Sequence, residues 1–327
     1  MARLKKTEKQ LGYKKSKISD IIFKELIKRG YSLEGKTRIW NIADSKLWYL
    51  TPEQSQAFLN LEKSKTYRQE VIQKEIDLIN KNMGDILEKV GSDAINIIDL
   101  GCGDGKKAGL FIKRLSKTAK VRYCPIDISS YMVEKAIENI SKLKVGEVVK
   151  FQWNISDFEN LENISSLLRQ DDFKRNFILL LGNTLGNFEI NEILHLIRTS
   201  MREGDLVLIG NGLSTKNPEE ILESYNNKYL DELLSKTLML IGLNRENIEY
   251  GARFRNSRVE MFYTIKNDCE ISFLGKKVKF SKGDQILVAI SYKYDKYDFT
   301  SFLKMYFDDI KVYASEDDSY ALALCQK

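Results

Sequence analysis

Histidine and cysteine are scarce in this chain of 327 residues, which holds one histidine and four cysteines. Cys102, Cys124, Cys269 and Cys325 are scattered without a Cys-x-x-Cys among them. That argues for reduced thiols in a cytoplasmic setting, and against a zinc site or a Cys/His nucleophile pair. The lone His195 lies in "NEILHLIRTSM" and reads as a structural helix position, so no histidine base is expected. Long apolar runs are missing too. A stretch such as "FILLL" at 177–181 falls far short of the roughly 20 residues a membrane helix needs. The N-terminus, "MARLKKTEKQLGYKKSK", lacks an apolar h-region and is not expected to be a secretory signal. Internal repeats are absent.

What is present supports a sizeable core: 43% of residues are hydrophobic and 10% aromatic. Charge is unevenly spread, because seven basic residues against Glu8 put +6 in the first 17 positions, equal to the net charge of the whole chain. Residues 1–17 therefore read as a basic flexible tail, with nucleic acid a possible partner that is not favoured over a solvated end. Residues 18–90 read as a mainly helical N-terminal region. Its middle, rich in Trp40, Trp48 and Tyr49, is too aromatic for a linker and is expected to pack.

From Ala94 apolar strands alternate with amphipathic helices: "AINIIDLG", "KVRYCPIDI", "VVKFQWN", "NFILLLG" and "GDLVLIG" are strands, each pair joined by a helix. This pattern implies a parallel sheet covered on both faces over 91–212. Residues 213–300 break the rhythm with a helical piece and several short strands, an inserted α+β domain. Residues 301–327 return to the core, ending in two β runs around "SEDDS", a hairpin. The fold expected is α/β: a Rossmann-like sheet of the class I methyltransferase layout, finished by an antiparallel hairpin.

The turn after the first strand of this series, "IIDLGCGDGKK", sets Gly101, Gly103 and Gly105 on alternate residues. Glycine permits positive φ and lets a ligand approach where a Cβ would stand. A dinucleotide site asks for G-x-G-x-x-G/A, but the sixth position here is Lys106, too large for close helix–strand contact. An acid, Asp99, two residues before G-x-G-x-G is instead the S-adenosylmethionine form. Asp99 either orders the loop or takes the methionyl ammonium, and Lys107 at the helix start is placed for its carboxylate. Asp127, beside Ile128 at the end of the second strand, is placed for the ribose hydroxyls, a signal also compatible with NAD. Asp157 and Phe158 follow the third strand, a carboxylate for the adenine amine and a ring for the base. Acids at three successive strand ends favour S-adenosylmethionine.

The fourth strand ends in "LLLGNTLGNFE", where Gly182 and Gly186 flank Asn183 and Asn187. The Asp/Asn-Pro-Pro-aromatic motif of enzymes that methylate base amines is absent. "LGNTLGNF" resembles the Gly-x-Thr-Ile-Gly-Asn signature of the histidine-specific, S-adenosylmethionine-dependent N-methyltransferases. The resemblance continues through "DLGCGDGKK", "NPEEILESYNN", "SRVEMFYTI" and "FSKGDQILVAISYKY", and so covers roughly residues 65–327. It implies cofactor contacts at Gly101, Lys107, Asp127, Asp157 and Phe158. It further implies that Asn187 and Tyr225 hold the amine and carboxylate of an amino-acid substrate, near Gly182, and that Ser291 touches it. Two positions depart from the family. Ala289 stands where the histidine enzymes carry an imidazole-reading glutamate, and Val259 where they carry methionine.

The expected activity is transfer of a methyl group from S-adenosylmethionine to the amine of an amino acid or related small amine, not free histidine, with no metal. An RNA or protein acceptor docked by the basic tail is the alternative, and a non-catalytic module that keeps the cofactor fold is a third. Trp48, Tyr49 and Tyr67 are candidates for an aromatic pocket wall, each weighed against a place in the core.

Overall fold

A computed structural model describes residues 18–151, 154–214, 217–273 and 275–327. The basic stretch 1–17 lies outside the described residues. The chain divides into two compact units, one of Glu62–Asn217 with Tyr292–Lys327, the other of the residues up to Leu61 with Pro218–Ser291.

The first unit is built on a seven-stranded sheet whose strands, numbered in chain order, are β1 (Ile95–Leu100), β2 (Val121–Ile126), β3 (Glu147–Val148), β4 (Arg175–Leu180), β5 (Leu206–Gly212), β6 (Asp309–Ala314) and β7 (Tyr320–Gln326). Their spatial order is β6-β7-β5-β4-β1-β2-β3. The first five run parallel, and β7 pairs antiparallel with both β5 and β6. Alternation explains why both faces are apolar. Ile95, Ile97, Tyr123, Phe177 and Leu208 point into one core, under the helices Lys74–Val90, Lys106–Leu115 and Ser130–Ser141. Ile98, Leu100, Ile126, Ile178 and Ile209 point into the other, under Leu161–Leu168, Ile190–Ser200 and Lys296–Tyr306.

Register places the site. Leu100 stands opposite both Ile126 and Leu180, so β1, β2 and β4 end level. The chain order reverses between β1 and β4, the switch point where parallel α/β sheets bind ligands. The loops after β1 and β4 therefore meet at one edge.

The second unit holds a five-stranded sheet in the order Tyr31–Glu34, Thr37–Asn41, Gln285–Tyr292, Arg258–Ile265, Ile248–Arg255, and a separate hairpin, Cys269–Phe273 with Lys276–Phe280. Helices 18–29, Pro218–Tyr225 and Lys228–Leu240 belong to it. Within the mainly helical region 18–90, "YSLE" and "TRIWN" form a hairpin about Gly35, at φ +61, and Ile39 pairs in parallel with Gln285. The stretch "VVKFQWN" gives only the two-residue β3. Beyond Val149 the Phe151 N–H is captured by Asn154 Oδ1 at 2.6 Å, which competes with a ladder bond. Residues 152–153 lie outside the described residues. The strand Ile248–Arg255 was not anticipated. Among the described residues no helix is long and apolar enough to cross a membrane.

Candidate active site

The loop after β1 takes positive φ at Gly101, Gly103 and Gly105, but the three glycines serve different ends. A Cβ on Gly105 would sit 3.0 Å from Ala136 Cα and 3.2 Å from the Tyr123 hydroxyl, so this glycine lets the following helix close on the sheet. A Cβ on Gly101 would stand 3.3 Å from Thr184 and 3.8 Å from Phe158. Gly101 thus faces the loop after β4 and the ring that follows β3. Position 103 opens onto space, with nothing within 4 Å.

Two acids brace this loop. Asp99 is buried and accepts a hydrogen bond from the Tyr123 hydroxyl at 2.8 Å. Burial pushes its pKa up to about 7, against that hydrogen bond and the nearby Lys107, which favour the ionised form. The Tyr123 contact ties Asp99 to the neighbouring strand, β2. Asp127 Oδ2 accepts from Gly103 N at 3.3 Å, and Oδ1 from Ser129 N at 2.9 Å. Burial raises it to about 6, with the Ser129, Gly103 and Ile128 backbone N–H groups pulling the other way. Ile128 itself is half-buried.

Asp157 and Phe158 are half-buried side by side. The Phe158 ring lies 5.5 Å from that of Phe188. The Asp157 carboxylate caps nothing in the short helix it precedes, Phe158–Asn160.

The loop after β4 begins at Gly182, φ +74, and passes through Asn183, φ +62. Its two asparagines differ. Asn183 Oδ1 is committed, accepting from Gly212 N at 2.9 Å, whereas no hydrogen bond among the described residues engages the half-buried amide of Asn187.

Lys107 does not stand alone at the helix start. Its ammonium is 2.6 Å from Glu75 Oε2, and Glu75 is completely buried. Glu75 Oε1 accepts from Gly182 N at 2.8 Å and from the Tyr320 hydroxyl at 2.7 Å. Burial opposes the Lys107 charge, but Glu75, Glu62 and Asp99 more than offset it and hold its pKa above the ordinary value. Half-buried Glu62 has no ion-pair partner within 4 Å among the described residues. Burial carries it to about 7, with Lys107 acting the other way. Sequence reasoning missed Glu62 and Glu75. Each sits in an amphipathic helix rich in charge, where nothing distinguishes a buried acid from a solvated one.

In the other unit the Tyr225 hydroxyl donates to Ser291 Oγ at 2.9 Å, and the Tyr250 hydroxyl to Tyr225 O at 2.9 Å. Val259 and Ala289 are fully buried, and Ala289 shares a strand face with Ser291. Trp48 is a core residue, its Nε1 donating to Val288 O at 2.9 Å; Tyr49 packs on Phe58, and Tyr67 is half-buried in the sheet unit. His195 is exposed on the helix Ile190–Ser200.

Comparison with known proteins then decides the family. The profile of a family described as histidine-specific methyltransferase, SAM-dependent, matches residues 53–327. The chain belongs to this family. It is a methyltransferase, and S-adenosylmethionine is its cofactor. No curated protein matches the chain. Among solved structures it is similar to a S-adenosylmethionine-dependent methyltransferase from Clostridium acetobutylicum, at 12% identity and TM-score 0.45, covering 83% of this chain and 98% of that one. It is also similar to the sugar N-methyltransferase KedS8 from Streptoalloteichus, at 11% identity and TM-score 0.39, covering 91% of this chain and 100% of that one. A third is an amino pentose methyltransferase from Micromonospora echinaspora, at 10% identity and TM-score 0.36, covering 77% of this chain and 90% of that one.

The residues at the switch point fit the methyltransferase's cofactor. The cradle is open where a Cβ at 103 would stand, Asp127 is fixed at the end of β2, and the uncapped carboxylate of Asp157 adjoins an aromatic ring.

Proposed function

We propose that this methyltransferase acts on the nitrogen of an amino acid or a related small amine. The observation that carries the reading is the loop Gly182–Asn187, bare at its first residue and ending in an amide that no other described group engages. A neutral amide can accept from the N–H of a polar amine and brings no charge to the site.

The cofactor supplies an electrophilic methyl group on a sulfonium. The protein's residues supply position. Asp127 would hold the ribose hydroxyls, Asp157 the adenine amine and Phe158 the face of the base. Lys107 would hold the methionyl carboxylate. Asn187 would orient the acceptor amine with its lone pair directed inward. Tyr225 and Ser291, linked by their hydroxyls in the other unit, are acceptor contacts only by the family resemblance. Gly101, Thr184 and Phe158 meet where the loops cross. Alignment of this kind supplies on the order of 7–11 kcal/mol, and no covalent enzyme intermediate is required.

Free histidine is not the expected acceptor. Alanine at 289 and valine at 259 offer an imidazole no charged partner, a loss of about 1.5–3 kcal/mol against a site with a carboxylate. A larger apolar or aromatic amine is the better match. The test is turnover of methyl-labelled cofactor against a pool of amino acids and small amines that includes tryptophan and histidine. Transfer to an amine other than histidine is the expected result. Transfer to none, or to histidine above all others, overturns the reading.

A further inference from the structure

The Lys107–Glu75 pair is costly to bury, and the fold makes special room for it. An ion pair taken out of water commonly loses as much in desolvation as it gains in attraction, so stability alone does not explain keeping one. Two glycines clear the space. A Cβ on Gly210, in β5, would run into Glu75 Oε1, and a Cβ on Gly182 would lie 2.8 Å from Lys107 Nζ. The helix that carries Glu75, Lys74–Val90, follows a π-helical stretch, Arg68–Gln73, a departure often found near functional sites.

The two oxygens of Glu75 divide the work. Oε1 is held by Gly182 N and the Tyr320 hydroxyl, fixing the acid to the first residue of the loop after β4. Oε2 faces only the Lys107 ammonium. The Lys107 side chain keeps about a fifth of its surface open, and its ammonium makes no hydrogen bond to any other group among the described residues. Its remaining protons are free for a ligand. The other charged groups near it are Glu62 and Asp99.

We propose that Glu75 is a positioning residue: its Oε2 aims the Lys107 ammonium at the carboxylate of the bound cofactor, while its Oε1 keeps that ammonium in register with the loop after β4. The inference rests on the reading above that Lys107 meets the methionyl carboxylate.

Glu75→Gln separates the two roles, because the amide oxygen still accepts at the Oε1 position while an NH₂ faces Lys107. The probes are S-adenosylhomocysteine, which carries the methionyl carboxylate, and 5′-methylthioadenosine, which keeps the adenosine and sulfur without it. Calorimetry should show Glu75→Gln losing about tenfold in affinity for the first and less than about twofold for the second. Lys107→Met should do the same, and the double variant should be no worse than Lys107→Met alone. Equal losses for both ligands, unchanged affinity, or additive losses in the double variant would overturn the proposal. Should Glu75→Gln not fold, Glu75→Asp replaces it, keeping the charge but standing one methylene short of Lys107, with the same ligand-selective loss expected. If wild type binds 5′-methylthioadenosine as tightly as S-adenosylhomocysteine, the reading of Lys107 fails rather than the role of Glu75.

Discussion

Two ion pairs are buried at opposite edges of one sheet, and they are finished differently. At the amino edge Arg169 pairs with Asp205, their side chains 5% and 1% exposed. Asp205 also accepts from Asn176 N at 2.7 Å and Arg202 N at 2.8 Å, and Arg169 donates to Ser165 O at 2.7 Å. Of its guanidinium nitrogens only Nε lacks a partner. At the carboxyl edge Glu75 Oε1 is held by Gly182 N and the Tyr320 hydroxyl, whereas its Oε2 makes no hydrogen bond and faces only the Lys107 ammonium. The same chemistry, closed on both sides, latches two loops; closed on one side, it presents a charge. The difference lies in the cation, which is held by further hydrogen bonds at the amino edge and by the ion pair alone at the carboxyl edge.

The closed pair should matter most to stability and least to binding. Arg169→Met leaves Asp205 buried without its cation, at a cost of about 3–5 kcal/mol. Urea unfolding should show that loss, with S-adenosylhomocysteine affinity unchanged in the protein that stays folded. A loss of affinity with unaltered unfolding would erase the distinction between the edges.

The open edge should show the opposite economy, with charge held there at the expense of the fold. Asp99 titrates at 3.8 when unfolded and is raised to about 7 by burial. A carboxyl group raised in this way gives up stability as pH climbs from about 4 to about 7, because the folded state binds the proton more tightly. Asp99→Asn cannot titrate, and its amide oxygen can still accept from Tyr123. Its stability relative to wild type should therefore grow over that window and level off above it, to a ceiling of about 4 kcal/mol at 1.36 kcal/mol per unit. Thermal unfolding of the cofactor-free protein across the window checks this. A constant difference at every pH would mean that Asp99 is not the titrating group.

How much of this was legible in the sequence follows from the same comparison. Periodicity revealed the parallel strands, because Phe177–Leu181 and Leu206–Ile209 are apolar on both faces and no surface strand can be. The open groups at the carboxyl edge were legible for a related reason. Gly101 and Asp127 each end an apolar run. The long-range partners around them were not. Glu75, Tyr123 and Tyr320 lie 24 to 245 positions from the groups they bond, and local pattern carries no sign of a contact at that range. The hairpin at Tyr31–Asn41 was hidden likewise: its strand Thr37–Asn41 is secured by Gln285–Tyr292, which only the fold brings alongside.

The smallest effect tests the open edge at a single atom. In Asp127 two oxygens accept from Gly103 N and Ser129 N, and each keeps a lone pair for a ribose hydroxyl. Asp127→Asn leaves one oxygen and turns an NH₂ toward either the loop or the ligand. Hydrogen bonds to a charged acceptor are worth about 1.5–3 kcal/mol, so S-adenosylhomocysteine affinity measured by calorimetry should fall by about tenfold to a hundredfold. Stability should not fall in step. Burial raises this acid to about 6, which makes the charge a burden on the cofactor-free fold above that pH. An asparagine variant that unfolds earlier yet binds normally would place Asp127 with Asp205 among the latches, and the ribose would have to be held by something else.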